Sequence, residues 1–247
     1  MTISKNIQTK PLPLNRHGEL LDLEATRDHL KTLSPQERLS WGLTTFGDQF
    51  TLTTSFGIQS AVSLHMLSKL QGKVKVIWID TGYLPLETYQ YAETLCELLS
   101  VSVWVAQSSI SPARMEALHG KLWETGSVKD LETYHLIRKI GPLENAFEMN
   151  NISCWASGVR GSQTDHRSSM HLLDPIRGRW SIRPLLNWSK KDIFYYMRDN
   201  NLPQHPLFDR GYSTVGDWHS SAPDGEQIEG RSTRFGGLKQ ECGIHVT

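Results

Sequence analysis

Cysteine is scarce in this chain and unpaired in pattern. Cys96, Cys154 and Cys242 are the only three in 247 residues, with no Cys-Cys and no Cys-x-x-Cys among them. An odd, scattered set disfavours both a disulfide framework and a thiolate-bound metal cluster, and leaves room for a lone reactive thiol. Long apolar runs are missing too. Nothing approaches the roughly 20 apolar residues of a membrane span, and the opening MTISKNIQTKPLPLNRHGEL has no apolar core of the secretory type. A soluble, cytoplasmic protein without membrane contact is expected. No excess of either charge exists, because 26 Lys and Arg balance 26 Asp and Glu. That argues against a general nucleic-acid binder. Neither a Walker loop nor G-x-G-x-x-G occurs.

What is present centres on residues 50–70, FTLTTSFGIQSAVSLHMLSKL. Residues 50–54 are β-branched or apolar, and from Ile58 onward Ile58, Ala61, Val62, Leu64 and Leu67 recur at helical spacing. The reading is strand, tight loop, helix. The loop Thr53-Thr54-Ser55-Phe56-Gly57 offers hydroxyls and a glycine where the first free N–H groups of a helix point outward. Such an end attracts a phosphate or sulfate, although hydroxyls also cap ordinary strand-to-helix connections.

Along the chain, residues 1–18 read as a flexible N-terminal arm, 19–208 as one α/β nucleotide-binding domain without a linker, and 209–247 as a mobile C-terminal segment. Ser34-Pro35-Gln36-Glu37 is a capping box with proline at the first helical position. Strands are expected at 73–79 (KVKVIWI), 101–105 (VSVWV), 152–158 (ISCWASG) and 179–186 (RWSIRPLL). Helices are expected at 86–99, at 143–150 and, capped by Ser189 and Asp192, at 189–200. Residues 108–141 show no period, and the stretch between Gly120 and Gly126 reads as a surface excursion. Alternating strands and helices give a doubly wound, mostly parallel sheet whose ligands sit at the carboxyl ends of the strands. Asp80, Thr81 and Gly82 fall at that edge, where Asp80 could meet a ribose or base or simply make a turn.

Basic residues concentrate between Arg160 and Lys191: Arg160, Arg167, Arg177, Arg179, Arg183, Lys190 and Lys191, against only Asp165 and Asp174. A localised anion site is expected there, with Arg160 and Arg167 able to clamp phosphate. The last residues hold Arg231, Arg234, Lys239, Cys242 and His245. Lys239 and His245 favour a Cys242 thiolate while Glu241 opposes it, so Cys242 reads either as an exposed tail cysteine or as a nucleophile. A zinc site of Cys242, His245 and His219 lacks a fourth ligand.

Ser55-Phe56-Gly57-Ile58-Gln59, Asp80-Thr81-Gly82-Tyr83 with Glu87-Thr88-Tyr89, Gly120-Lys121-Leu122-Trp123-Glu124, Gly211-Tyr212 through Val215-Gly216-Asp217, and the terminal Glu241-Cys242-Gly243-Ile244-His245 occur in collinear order. Over about residues 35–247 this pattern resembles the assimilatory phosphoadenosine phosphosulfate (PAPS) reductases. The resemblance implies an adenine-nucleotide α-hydrolase-like sheet and a homodimer. It also implies reduction of PAPS to sulfite and adenosine 3',5'-bisphosphate, with thioredoxin or glutaredoxin as reductant. Carried over by motif, Cys242 would be the nucleophile. Ser55, Phe56, Gly57 and Gln59 would hold the phosphosulfate end, Asp80, Thr81 and Gly82 would border the nucleotide, and Arg160, Arg167, Arg234, Lys239 and His245 would bind anionic groups. The related adenylyl-sulfate reductases carry an iron-sulfur cluster on paired cysteines. Here Asp217-Trp218-His219-Ser220 stands where the later pair would be, which implies no cluster and no bound cofactor. Gly161 and Gln240 depart from the family pattern, standing where arginine is common. A cluster-free adenylyl-sulfate reductase remains an alternative. An adenylyl transferase of the ATP-pyrophosphatase type is another, although its S-G-G-x-D-S loop is absent. A nucleotide sensor would leave the cysteine-bearing tail without a use.

Overall fold

The computed structural model describes residues 11–226, 229–241 and 243–245. Two short helices, α1 (Leu23–Thr32) and α2 (Pro35–Phe46), precede the sheet. The capping box expected at Ser34 forms: Ser34 Oγ accepts from the Glu37 N–H, and the Ser34 N–H donates to Glu37 Oε2 at 2.7 Å. Strand β1 (Phe50–Thr54) then enters the interior and α3 (Ser60–Ser68) leaves it. Every residue of α3 from Ala61 to Leu67 is buried. A helix apolar on all sides must lie inside the molecule, which is why its flanking loops are drawn toward the centre.

The rest of the sheet follows as β2 (Lys75–Ile79), α4 (Leu86–Leu99), β3 (Val103–Ala106), α5 (Pro112–His119), α6 (Val128–His135), α7 (Gly141–Met149), β4 (Cys154–Ser157), α8 (Asp165–Ser168), β5 (Leu173–Ile176), β6 (Arg179–Ile182) and α9 (Lys190–Asp199). The strand order is β3-β2-β1-β4-β6-β5. All neighbours are parallel except β5, which runs antiparallel to β6 along the edge. Side chains alternate across the sheet. Val76, Trp78, Cys154 and Ala156 join the larger core, and Ile77, Ile79 and Trp155 join the core on the opposite face. The order reverses between β1 and β4, and a doubly wound sheet opens its ligand crevice at that reversal.

Two expectations need correction, and one strand was missed. Residues 108–141 are not an irregular excursion. They form α5, α6 and a π-helical turn, Leu136–Ile140, and between the helices Leu122 is buried with Tyr83, Met115 and Tyr134. Eight-residue helices with one to three buried positions each are too short to show a period. The strand expected over 179–186 ends at Ile182, where Pro184 cannot continue a ladder. The antiparallel β5 was not foreseen, because Leu-Asp-Pro-Ile carries no strand pattern. At the N-terminus, the described residues are tied down: the Trp180 indole N–H donates to the Pro13 carbonyl at 3.0 Å, and the Arg16 N–H to Thr45 O at 2.9 Å. No helix among the described residues is long and apolar enough to cross a membrane.

His205, fully buried after α9, accepts the Leu207 N–H on Nδ1 (3.1 Å) and lies 3.0 Å from Thr88 Oγ1 through Nε2. Neutral imidazole suits that arrangement, and burial pulls its pKa down to about 4. Unfolded histidine titrates near about 6.5. Above that pH neither state is charged. Below it the unfolded chain takes a proton that the folded chain refuses, so stability is lost as pH falls from about 6.5 toward 4. The expected slope is up to about 1.4 kcal/mol per pH unit. Urea midpoints between pH 7.5 and 4.5 should fall accordingly, and His205→Gln should flatten the decline.

Candidate functional site

Two loops meet at the reversal of strand order. The first, residues 54–59, joins β1 to α3. Phe56 takes a positive φ of 48° and is fully buried, edge-on to Trp78 at 4.9 Å between centroids. Its aromatic anchor turns the chain so that Ser55, Gly57 and Gln59 line a cavity of about 230 Å3. Gln59 stands at the N-cap of α3 without a capping side-chain hydrogen bond. The Ser60 N–H donates to Gly57 O at 3.0 Å, and the positive dipole end of the helix lies at the cavity that Gln59 and Ser60 line.

The second loop follows β4 and carries Arg160, Gln163, Thr164 and Arg167. Arg160 is 5% exposed and donates through Nη2 to Gln59 Oε1, while its Nη1 finds no partner in the protein. Burial, and then the nearby Arg167, lower its pKa to about 10, so it keeps its charge at neutral pH. An unpartnered guanidinium nitrogen beside a helix N-terminus calls for an anion.

The cavity is closed by the chain's last described stretches. Ser213 to Asp217 line one side, and Arg231, Arg234, Ile244 and His245 another. Asp217 is fully buried and anchors this cover: Lys139 Nζ lies 2.6 Å from Oδ2, and the Thr81 hydroxyl donates to Oδ1 at 2.6 Å. Burial alone would raise its pKa. The charges of Lys139 and Arg234 and the hydrogen bonds from Lys139 and Thr81 outweigh that and hold it well below the usual carboxylate range. Lys139 itself comes from the π turn, a register irregularity often found at functional sites. Gly216 lets the Arg234 guanidinium pack against the backbone beside it, since a Cβ there would make that guanidinium move. His219 stacks on Trp123, 4.1 Å between centroids and 9° from parallel, and burial lowers its pKa to about 4.

The sequence-predicted residues divide. Ser55, Gly57, Gln59, Thr81, Arg160, Arg167, Arg234 and His245 line the cavity. Phe56 is not among the lining residues, its ring being core. Asp80 sits just behind: its carboxylate accepts from the Gly82 N–H, the Tyr89 hydroxyl and the Gln107 amide. It shapes the turn, and Gly82 (φ 74°) packs against Pro112 and Arg138. Lys239 points away to Glu132 at 3.0 Å. Cys242 lies outside the described residues. Of the remaining basic cluster, Arg177 and Arg179 pair with Glu144, Arg183 pairs with Asp174, and Lys190 and Lys191 are exposed. The anion site is thus narrower than the charge count suggests. Lys139 and Gln163 were not foreseen. Lys139 lay in the stretch without a period, and no spacing tied it to Asp217.

The Glu241 carboxylate has a place that sequence could not give. It accepts from Arg167 Nε (2.8 Å), Arg167 Nη2 (2.9 Å) and Thr164 Oγ1 (3.0 Å), with Arg231 at 3.6 Å. Burial pushes its pKa up, but these partners outweigh burial and keep it below the ordinary value. His245 stacks on Trp155 at 5.2 Å. Burial, reinforced by the arginine charges around it, drives its pKa well below the ordinary value and keeps it neutral. Among the described residues no three His, Cys, Asp or Glu side chains converge as a metal site.

Comparison with known proteins bears on this site. Residues 49–223 match the model of the phosphoadenosine phosphosulfate reductase domain. A protein of Synechococcus sp. named phosphoadenosine 5'-phosphosulfate reductase is 52% identical over 209 residues, covering 84% of this chain and 90% of its own. One of the same name from Synechocystis sp. is 44% identical over 227 residues, covering 92% and 91%. Among solved structures, a phosphoadenylyl-sulfate reductase of Candida auris in complex with phosphate superposes with a TM-score of 0.70 at 28% identity, covering 86% of this chain and all of that one. Candida glabrata FMN adenylyltransferase shares the fold at a TM-score of 0.54 and 14% identity, covering 83% of this chain and 65% of that one.

The buried ion pair makes a direct stability prediction. Lys139→Met leaves Asp217 a buried charge without its paired cation, with Arg234 and Thr81 left to offset it, and should cost about 3 kcal/mol. Replacing both, Lys139→Met with Asp217→Leu, should recover much of that loss. Urea denaturation of the two singles and the double checks it.

Proposed function

The chain belongs to the phosphoadenosine phosphosulfate reductase family and reduces PAPS in sulfate assimilation, and on that premise we propose that Cys242 is the sulfur nucleophile and the cavity at the strand reversal is where PAPS binds. The observation that supports this most is the convergence on one cavity of the N-terminal end of α3, the unpartnered Nη1 of Arg160 and the C-terminal residues Arg231, Arg234, Ile244 and His245. An anionic group is favoured there by the positive dipole end of α3 and by the Arg160 guanidinium. Ser55, Gly57 and Gln59 serve the phosphosulfate end. Thr81 borders the nucleotide, with Asp80 and Gly82 fixing the turn behind it. Arg160, Arg234 and the neutral His245 surround the transferring group.

In the first step the Cys242 thiolate attacks the sulfonate sulfur in line. An S–S bond forms, the S–O bond to the nucleotide breaks, and adenosine 3',5'-bisphosphate leaves with the electron pair. Cations around the group offset the developing charge, as in phosphoryl transfer. In the second step a thioredoxin or glutaredoxin thiolate attacks the Cys242 sulfur and sulfite departs with the bonding pair. The resulting mixed disulfide is resolved by the reductant's second thiol, so the dithiol is oxidised as the sulfonate is reduced. The end of the chain, beyond the Asp217 anchor, acts as a carrier that closes over the nucleotide for the first step and opens for the protein partner in the second. No bound iron-sulfur cluster takes part, since the chain lacks the cysteines to hold one.

Incubating reduced protein with PAPS and no thioredoxin should add one sulfonate, found on Cys242 by intact mass and peptide mapping. Cys242→Ser should lower turnover by about three orders of magnitude or more while adenosine 3',5'-bisphosphate still binds. An adduct on another residue, or loss of nucleotide binding of similar size, would overturn the assignment. An equal adduct from adenylyl sulfate would remove the specificity for PAPS and keep the chemistry.

A further inference from the structure

Arg167 has the position of a substrate-binding arginine, yet its donors are already taken within the protein. Nε and Nη2 form a two-pronged pair with Glu241, and Nη1 donates to Gln163 Oε1. The pair is well sheltered, with the Arg167 side chain 6% and the Glu241 side chain 15% exposed. Thr164 and Arg231 complete the carboxylate's surroundings. Two residues further on, the chain is fastened a second time. Arg177 Nη1 donates to the carbonyls of Gly243 (3.3 Å) and Ile244 (3.0 Å), and the Ile244 side chain is buried with Ile77, Ile79 and Trp155. Cys242 is the one residue between these anchors in the sequence.

We infer that Glu241 is a positioning residue for sulfonate transfer: its carboxylate, gripped by Arg167 and Thr164, docks the end of the chain so that residue 242 is delivered to the PAPS cavity. This rests on the reading of Cys242 as the sulfonate acceptor. Reactions between held groups lose rate steeply when the attacking atom is displaced by even an ångström or so, so anchoring the chain at Glu241 and again at Gly243 and Ile244 bears directly on the rate of transfer. A planar fork on a carboxylate fixes direction as well as distance, which a single charge does not. Arg167 then acts on the reaction through Glu241 and not by holding the nucleotide.

The test measures two quantities: the single-turnover rate of sulfonate transfer from PAPS to the protein, read by quenched intact mass, and the affinity for adenosine 3',5'-bisphosphate, read by calorimetry. Glu241→Ala and Arg167→Ala should each slow transfer by about tenfold to a hundredfold, and the double variant no further, because both remove one interaction. Glu241→Asp should regain part of the rate. Nucleotide affinity should be nearly the same throughout. Arg167→Lys, which keeps the charge without the fork, replaces Arg167→Ala if the latter does not fold, and should be slowed while binding normally. Full-rate transfer in Glu241→Ala overturns the inference, as do losses that multiply in the double variant. Weakened nucleotide binding in Arg167→Ala would mean that Arg167 meets the ligand, and tightened binding in Glu241→Ala that Glu241 merely competes with it; either result also defeats it. A Cys242→Ser protein that still accepts sulfonate is a different failure, of the acceptor assignment beneath.

Discussion

A carboxylate sealed from water must find its charge balance inside the protein, and Asp217 finds it in Lys139 and Thr81. These three residues come from parts of the chain far apart in sequence: the loop after β2, the π turn after α6, and the stretch beyond α9. Joining them fixes the wall of the cavity on the side away from the two strand-end loops. With an ion pair removed from solvent, breaking either half is expensive, so the wall does not come apart piecemeal. The Trp218 N–H to Tyr83 carbonyl bond, 2.8 Å, and the stack of His219 on Trp123 extend the same seam. Arg234, packed beside Gly216, adds its charge to the same carboxylate.

The opposite wall is electropositive by a different device. There the sheet's own topology leaves the end of α3 uncapped, and Arg160 is buried beside it with a nitrogen to spare. Keeping a buried guanidinium charged with no full complement of partners is unfavourable until an anion arrives. The cavity is thus prepared for a ligand that carries negative charge at more than one point, as a phosphosulfate does.

The parallel sheet, its carboxyl-end loops and the capped helices were legible because each rests on local signals: apolar runs, period 3.6, and capping boxes at Ser34 and Ser189. The family pattern added Cys242 and the last residues, which composition alone would have left as a tail. What could not be read were pairings over long separations. Nothing local tells that Arg183 serves Asp174 and Arg177 serves Glu144, while Arg160 keeps one guanidinium nitrogen without a partner in the protein. Glu241 was read as a charge unfavourable to its neighbour, but the structure surrounds it with two arginines that offset that charge. Short helices failed for a related reason, since α5 and α6 owe their burial to Tyr83 and Trp123 and not to a repeating face.

The π turn at Leu136–Ile140 has a bearing on how this protein can vary over time. It accommodates one residue more than a regular helix would, and through it Lys139 meets Asp217 while Arg138 donates to the Thr81 carbonyl. Deleting a single residue upstream within α6 would let the helix run regularly, yet it would rotate the following positions by about 100° and swing Lys139 off its partner. The chain length between Ser127 and Gly141 is therefore a heritable constraint as strict as the identity of any side chain in it. At Gly120 and Gly126, where an added side chain would meet open space, substitution costs only the positive φ that each glycine adopts.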